Sequence, residues 1–394
     1  MIDIFPIDQL DLERKRVIYR VDYNVPMEGT TVSDETRIRE TLPTILMMRE
    51  RGASIVILSH MGRPKGKRAE ADSLRPVRAK LEELMNLDIQ WADDCIGDEA
   101  ESKSKALGPG QILFLENLRF HPEEEKNDPT FAGKLQKHGE VYVNDAFGAC
   151  HRAHASIVAL PRLFSTDKRA AGLLLLMELQ FLQKVTHVSD RPFVAVMGGA
   201  KIAGKIEPLE ALVKLADSVV IGGGMSNTFL AAQGRELGDS LVDHDSLEVA
   251  KRILASNGPK VILPTDLVVT DSIDKPTRVE TISVEKGVAA GLKAVDIGPR
   301  TVERFTAAIA GAKVVFWNGP MGVFEQEQFA LGTKKIARAV AHANAMTIVG
   351  GGESVEAVNA SGFADKISHI STGGGASLEF VAGISLPGIE ILQR

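Results

Sequence analysis

Short apolar runs rich in β-branched residues recur along this chain, each followed by a polar or glycine-rich loop and then a stretch of helical periodicity. That alternation calls for βα units, and βα units in series build parallel sheets with helices packed against them. Strands are expected over residues 16–21, 54–58, 111–115 and 141–143 in the first half, and over 193–196, 218–221, 260–263, 313–316, 347–349 and 367–370 in the second. The runs are apolar almost without alternation, as strands covered on both faces must be. Their uneven spacing excludes a repeat array. A chain of 394 residues exceeds what one hydrophobic core usually supports, so two domains are expected. The seam is placed at 169–185, "RAAGLLLLMELQFLQKV", read as a helix linking the halves.

Composition narrows the partners. With 44% hydrophobic and 25% charged residues the chain has the balance of an ordinary globular protein. A net charge of −6 argues against a nucleic-acid surface but does not forbid a local basic pocket. Two cysteines, Cys95 and Cys150, are too few for a disulfide framework or a cysteine metal site, and read as small buried hydrophobes in a reducing compartment. The opening "MIDIFPIDQLDLERKR" has no basic n-region followed by an apolar stretch, and the most apolar run, "AAGLLLLM", is too short to span a bilayer. A cytoplasmic protein with no membrane partner is expected.

The loops after the expected strands fall into two kinds, and ligands of open α/β sheets bind at the carboxyl ends of strands. First-half loops are polar and basic: "DYN", "SHMGRPKG", "ENLRFHP" and "NDAFGACHRAH". Arg37, His60, Arg63, Arg119 and Arg152 sit at or near four strand ends, with Asp22 and Asn24 on the first. Arginine is planar, permanently charged and bidentate, and several of them exceed the needs of one carboxylate and fit a small polyanion. Asp22 and Asn24 would read a hydroxyl instead. His60 and His154 taken alone leave packing, hydrogen bonding and proton transfer open. The charged stretches "PKGKRAEAD" and "PEEEKNDP" read as solvated loops and helix starts.

Second-half loops are rich in glycine: "GGAK", "GGGM", "NGPMG", "GGGES" and "STGGG". Glycine lets backbone N–H groups approach phosphate oxygens, and a helix starting there adds its positive end. "STGGGASLEF" has this form, and "IVGGGESVEA" adds Glu353 as a cation ligand and Ser354 as a cap or phosphate donor. "GAKIAGK", from Gly199, has the spacing of a P-loop, but Ile206 follows where Mg²⁺ needs Ser or Thr. Lys201 and Lys205, four apart, would share one face if they open a helix, touching a transferring phosphoryl and a nucleotide phosphate. A dinucleotide fingerprint is missing, because "GGGMSN" and "GGGESV" fail at the last glycine. No His/Cys cluster has zinc spacing and no Ser-His-Asp arrangement stands out, which suits phosphoryl transfer, a reaction of positioning and charge neutralisation.

Nine blocks, "RVDYNVP", "LSHMGRPKG", "LENLRFHPEEEKND", "NDAFGACHRAHAS", "GGAKIAGKI", "IGGGMSNTFL", "VFWNGPMGVFE", "GGGES" and "HISTGGGASLEF", resemble phosphoglycerate kinases in order from about residue 16 to 383. The resemblance implies two Rossmann-like α/β domains with mostly parallel sheets, joined by a helix and separated by a cleft: 1–168 for phosphoglycerate, 169–185 as connector, 186–371 for nucleotide, and 372–394 returning to the first domain. It implies reversible phosphoryl transfer between 1,3-bisphosphoglycerate and ADP, giving 3-phosphoglycerate and MgATP, in a hinge-bending monomer. On the family pattern Asp22, Asn24, Arg37, His60, Arg63, Arg119 and Arg152 bind phosphoglycerate. Lys201, Lys205, Glu325, Gly351, Gly352, Glu353 and Ser354 bind nucleotide, with Glu353 at Mg²⁺. Arg37, Lys201, Gly352 and Gly375 hold the phosphoryl in flight.

Three positions depart from that pattern. Glu353 stands for the usual Asp, one methylene longer, and Mg²⁺ binding is expected to survive directly or through water. Ala294 stands for a usual glycine, and its methyl would trim the space beside base or ribose. Tyr23 stands for Phe and is expected to be near neutral. Two other readings fit the residues less well: a P-loop NTPase leaves the basic cluster without a role, and a non-catalytic sugar-phosphate-binding protein needs neither five glycine loops nor paired lysines.

Overall fold

The computed structural model describes residues 3–186 and 190–394. They divide into two compact units: the residues up to Gln180 together with Ser385–Arg394, and Phe181–Ile384.

The first unit is organised by a six-stranded parallel sheet in the order Gln90–Ala92, Ile112–Leu115, Ser54–Leu58, Arg16–Val21, Val141–Asp145, Arg169–Ala171. Ile18 sits opposite Val56 on one side and Tyr142 on the other. Ser54–Leu58 and Val141–Asp145 are buried throughout, so the missing polar alternation reflects cover on both faces. The strand order reverses beside Arg16–Val21, which opens a crevice at its carboxyl end.

The second unit has its own six-stranded parallel sheet, in the order Val261–Ile262, Ser218–Ile221, Phe193–Met197, Val314–Asn318, Met346–Gly350, His369–Ile370. This is the 3-2-1-4-5-6 order of a doubly wound nucleotide-binding sheet, with its switch point between Phe193–Met197 and Val314–Asn318. Trp317, Phe305 and Ile336 anchor the core on one side of it.

Several elements differ from the sequence reading. The strand Gln90–Ala92 carries no apolar run, and the antiparallel sheet Val279–Ser283, Asp266–Thr270, Lys293–Ile297 mixes charged with apolar residues; neither was expected. Residues 169–171, read as the start of the linking helix, form an edge strand paired with Tyr142–Asn144, because an unpaired sheet edge outweighs the helix preference of two alanines. The helix itself is Leu173–Thr186. The lysines of "GGAKIAGK" do not open a helix: it starts at Ile206, with Lys205 as its non-helical N-cap (φ −122°, ψ 8°) and Lys201 in the loop before it. Residues 372–384, expected with the returning tail, stay in the second unit. The tail Ser385–Arg394 is tied to the first unit by a bridge between Ile4 and Gln393 and by Gly388 N–H donating to the Cys150 carbonyl at 2.9 Å. Both cysteines are free and buried.

Candidate active site

In the first unit the expected residues other than Arg37 follow the carboxyl ends of four neighbouring strands, and Arg37 lies in the short helix Thr36–Arg39. Asp22 follows Arg16–Val21 and accepts from Arg37 at 3.1 Å, while the same Arg37 nitrogen donates to the Asn24 carbonyl at 3.0 Å. Asn24 Oδ1 accepts the Gly62 N–H at 2.9 Å, which holds the loop carrying Arg63 and leaves the amide NH₂ free to donate. Burial works against the Asp22 charge, but Arg37, His60 and Arg20 outweigh it and keep its carboxyl below the usual range. Arg119 is buried, donates to the Gly62 carbonyl at 2.7 Å, and has its Nε 3.6 Å from Glu125. Arg152 donates to His151 at 3.0 Å and, among the described residues, pairs with no carboxylate; Arg63 is exposed.

Positive charge therefore exceeds negative charge at this end of the sheet, and the histidines register it. His154 is pushed down to about 3 by burial and then by Arg119, Arg20 and Arg152. His60 and His151 are lowered too, first by burial. Neutral imidazoles among guanidiniums that outnumber their carboxylate partners suit an anion rather than a proton relay. Tyr23 fits without strain, its hydroxyl paired with Thr41 Oγ1 at 2.6 Å.

Two residues of this cluster were not anticipated. Arg20 is fully buried inside Arg16–Val21, and its signal was an arginine in the interior of the run "VIYRV". Glu124, assigned to a solvated stretch, is fully buried and takes both the backbone N–H and the hydroxyl of Ser156, at 2.9 and 2.6 Å. The run "PEEEKNDP" does start a helix, Pro122–Glu125, but one turn of helix points its middle glutamate inward.

In the second unit a cavity of 440 Å³ opens at the switch point, lined by Gly199, Pro320, Asp296, Ala294, Glu325 and Glu353 among others. The two central strands are stitched above it: Gly198 N–H donates to the Asn318 carbonyl and Gly199 N–H to the Pro320 carbonyl, both at 2.9 Å. Lys205 Nζ reaches Asn318 Oδ1 at 3.1 Å, and Asn318 Nδ2 donates to the Gly350 carbonyl at 3.0 Å. Burial lowers the Lys205 pKa, with Glu353 opposing. Lys201 is exposed.

The helix Gly352–Ala360 begins at the cavity's edge, after Gly351 at φ +93°, where a Cβ would lie 2.9 Å from Asn318 Nδ2; only glycine fits. Gly352 and Glu353 are exposed at that N-terminus. Ser354 departs from expectation: it is buried and its Oγ accepts the Gly319 N–H at 2.5 Å, so its side chain is a structural tie and only its backbone N–H faces the helix start. Gly375 is exposed at the first turn of Gly375–Val381. Asp296 was missed in the sequence; burial raises its carboxyl to about 7 although it accepts the Gly332 and Ile297 N–H groups at 2.6 and 2.9 Å. The exposed Glu353 carboxylate suits Mg²⁺, which takes oxygen ligands, keeps several waters, and is usually held by one or two carboxylates plus substrate phosphates. No helix among the described residues is long and apolar enough to cross a membrane.

Comparison with known proteins shows the family. The family profile described as phosphoglycerate kinase matches residues 7–384. The chain is 50% identical over 393 residues to the phosphoglycerate kinase of Moorella thermoacetica, covering 98% of both, and 49% identical to that of Solibacter usitatus, covering 98% and 99%. Among solved structures it is similar to phosphoglycerate kinase from Pyrococcus horikoshii, with a TM-score of 0.89 at 32% identity, and to that from Coxiella burnetii, with 0.85 at 36%; each covers 99% of this chain and 98% of the other. A P-loop NTPase is not favoured by any of these likenesses.

Proposed function

We propose, for a chain that belongs to the phosphoglycerate kinase family, that its two strand-end clusters divide the family's reaction between them. The reaction is reversible transfer of a phosphoryl group between 1,3-bisphosphoglycerate and ADP, giving 3-phosphoglycerate and ATP. Phosphoglycerate binds in the first unit: His60, Arg63, Arg119 and Arg152 take its phosphate, and Asp22 and Asn24 read its hydroxyl. The nucleotide occupies the second unit's cavity, with Lys205, Glu325 and the backbone N–H groups of 351–354 near it. The observation that carries the first assignment is the surplus of guanidinium groups, Arg20, Arg37, Arg63, Arg119 and Arg152, over the carboxylates Asp22, Glu124 and Glu125 among them.

The attacking oxygen of 3-phosphoglycerate belongs to a carboxylate, which carries no proton to remove. No general base is needed, which suits a site whose histidines are held neutral. What the chain must supply is alignment and positive charge along the path of the phosphoryl group. Arg37 and Lys201 supply the charge, with the N–H groups of Gly352 and Gly375. Mg²⁺ arrives with the nucleotide and neutralises phosphate charge, and Glu353 is the carboxylate that would hold it. In-line transfer requires the two substrates to meet, so we read hinge closure as a step of the cycle. We read the enzyme as a cytoplasmic monomer.

A coupled assay of 3-phosphoglycerate-dependent ADP formation tests this reading, with wild type beside Arg37→Ala. Turnover should fall by about a hundredfold or more while ATP binding is retained. Equal loss of both would contradict the division.

A further inference from the structure

We propose that Arg20 is a positioning residue: by donating to His60 Nδ1 it locks His60 as the neutral tautomer that carries its proton on Nε2 and presents that N–H to the phosphoglycerate pocket. The inference rests on the assignment of His60 to that pocket.

Arg20 is fully buried, and each nitrogen of its guanidinium is committed. Nε donates to Ser156 Oγ at 2.7 Å, one terminal nitrogen donates to the Val21 carbonyl, and the other lies 3.1 Å from His60 Nδ1. A guanidinium has no acceptor and does not lose its proton in a protein. Nδ1 of His60 therefore has to be the bare, accepting nitrogen. A protonated ring would set one N–H against another, so His60 stays neutral with its hydrogen on Nε2. That atom lies 3.9 Å from Asp22 Oδ1.

The other charged groups around His60 act in the same direction, with one exception. Burial, Arg20, Arg119 and His154 all oppose its protonation, and Asp22 alone favours it. Arg20 is itself held from behind. The Ser156 hydroxyl that accepts from Arg20 donates to Glu124 Oε1 at 2.6 Å, and the Ser156 N–H donates to Oε2 at 2.9 Å. A buried chain of Glu124, Ser156, Arg20 and His60 thus fixes the tautomer of a ring that would otherwise exchange its proton between Nδ1 and Nε2.

The direct test is ¹⁵N NMR of the histidine side chains in the wild-type enzyme, with the His60 signals assigned by their loss in His60→Gln. Nε2 should bear the proton and Nδ1 should be bare at every pH from about 5.5 to 8. A proton on Nδ1, or a doubly protonated ring at neutral pH, would overturn the proposal. The second test is Arg20→Met combined with Glu124→Gln, which removes both buried charges together so that neither is left alone. Glu124→Gln by itself keeps the Arg20 contact and should keep the wild-type tautomer. In the double variant the Nδ1-protonated tautomer of His60 should become populated in the ¹⁵N spectrum, and KM for 3-phosphoglycerate should rise about threefold or more while kcat changes little. A wild-type tautomer in a folded double variant would overturn the proposal. An unchanged KM in His60→Ala would instead strike the assignment of His60 to the pocket, leaving the NMR result to decide the tautomer.

Discussion

Asp145 Oδ1 accepts the backbone N–H of Leu175 at 2.9 Å, so the carboxylate ending one strand of the first sheet caps the helix Leu173–Thr186. Its other oxygen accepts from the Tyr19 hydroxyl at 2.6 Å. A buried side chain that satisfies an orphan helix N–H and a buried phenol together has no apolar substitute. Asp145→Ala should destabilise the first unit by about 2–3 kcal/mol, read from urea unfolding of the purified variant. Unchanged stability would show that the cap is idle.

Buried carboxyls also give stability a pH dependence of unusual sign. Burial raises Asp145 to about 6 and Asp296 to about 7, against 3.8 for a free aspartate. A folded-state pKa above the unfolded one means that the native state holds a proton the unfolded chain has released. The stabilising contribution is complete below pH 3.8 and lost as pH climbs to about 6 for Asp145 and about 7 for Asp296. Asp296→Asn should therefore cost more stability at pH 4.5 than at pH 7.5, by on the order of 2–4 kcal/mol. Equal cost at both, measured by denaturant titration, would place the Asp296 pKa back near its ordinary value.

The sheets were legible in the sequence because parallel strands buried on both faces leave long apolar runs, such as Ser54–Leu58 and Val314–Asn318. Gln90–Ala92 and Arg169–Ala171 were not legible, because their strand state is imposed by a neighbouring strand rather than by their own residues. The exposed ends of the site were legible as well: Arg63, Lys201 and Glu353 sit in loops whose composition announced an anion or a phosphate. Its buried supports, Arg20, Glu124, Asn318 and Asp296, were not, because a charged or amide side chain in a sequence defaults to the surface until a buried partner is known.

Lys201 and Lys205 should separate kinetically. Lys205 is half-buried and bonded to Asn318, whereas Lys201 is exposed in the preceding loop. Lys201→Ala should lower kcat by about tenfold or more with little change in either KM, as loss of a contact made only in the transition state would. A rise in the ATP KM alone would make Lys201 a binding residue.

Gly388 links the tail to the loop that carries Arg152. A Cβ there would lie 2.7 Å from Ile157 Cγ2 and 2.8 Å from Cys150 Cα, and Cys150 stands two residues before Arg152. Gly388→Ala should cost about 1–3 kcal/mol and raise the KM for 3-phosphoglycerate without touching that for ATP. Thermal unfolding and steady-state kinetics of one variant read both, and an unchanged KM would detach the tail from substrate binding.

Calorimetric titration of 3-phosphoglycerate and of MgADP, each alone, against wild type, Arg119→Ala and Lys205→Ala asks whether the two units hold different substrates. Arg119→Ala should weaken 3-phosphoglycerate by about tenfold or more and leave MgADP unchanged, and Lys205→Ala should do the reverse. Loss of both ligands from either folded variant, or of the wrong one, would contradict the assignment of the two sites.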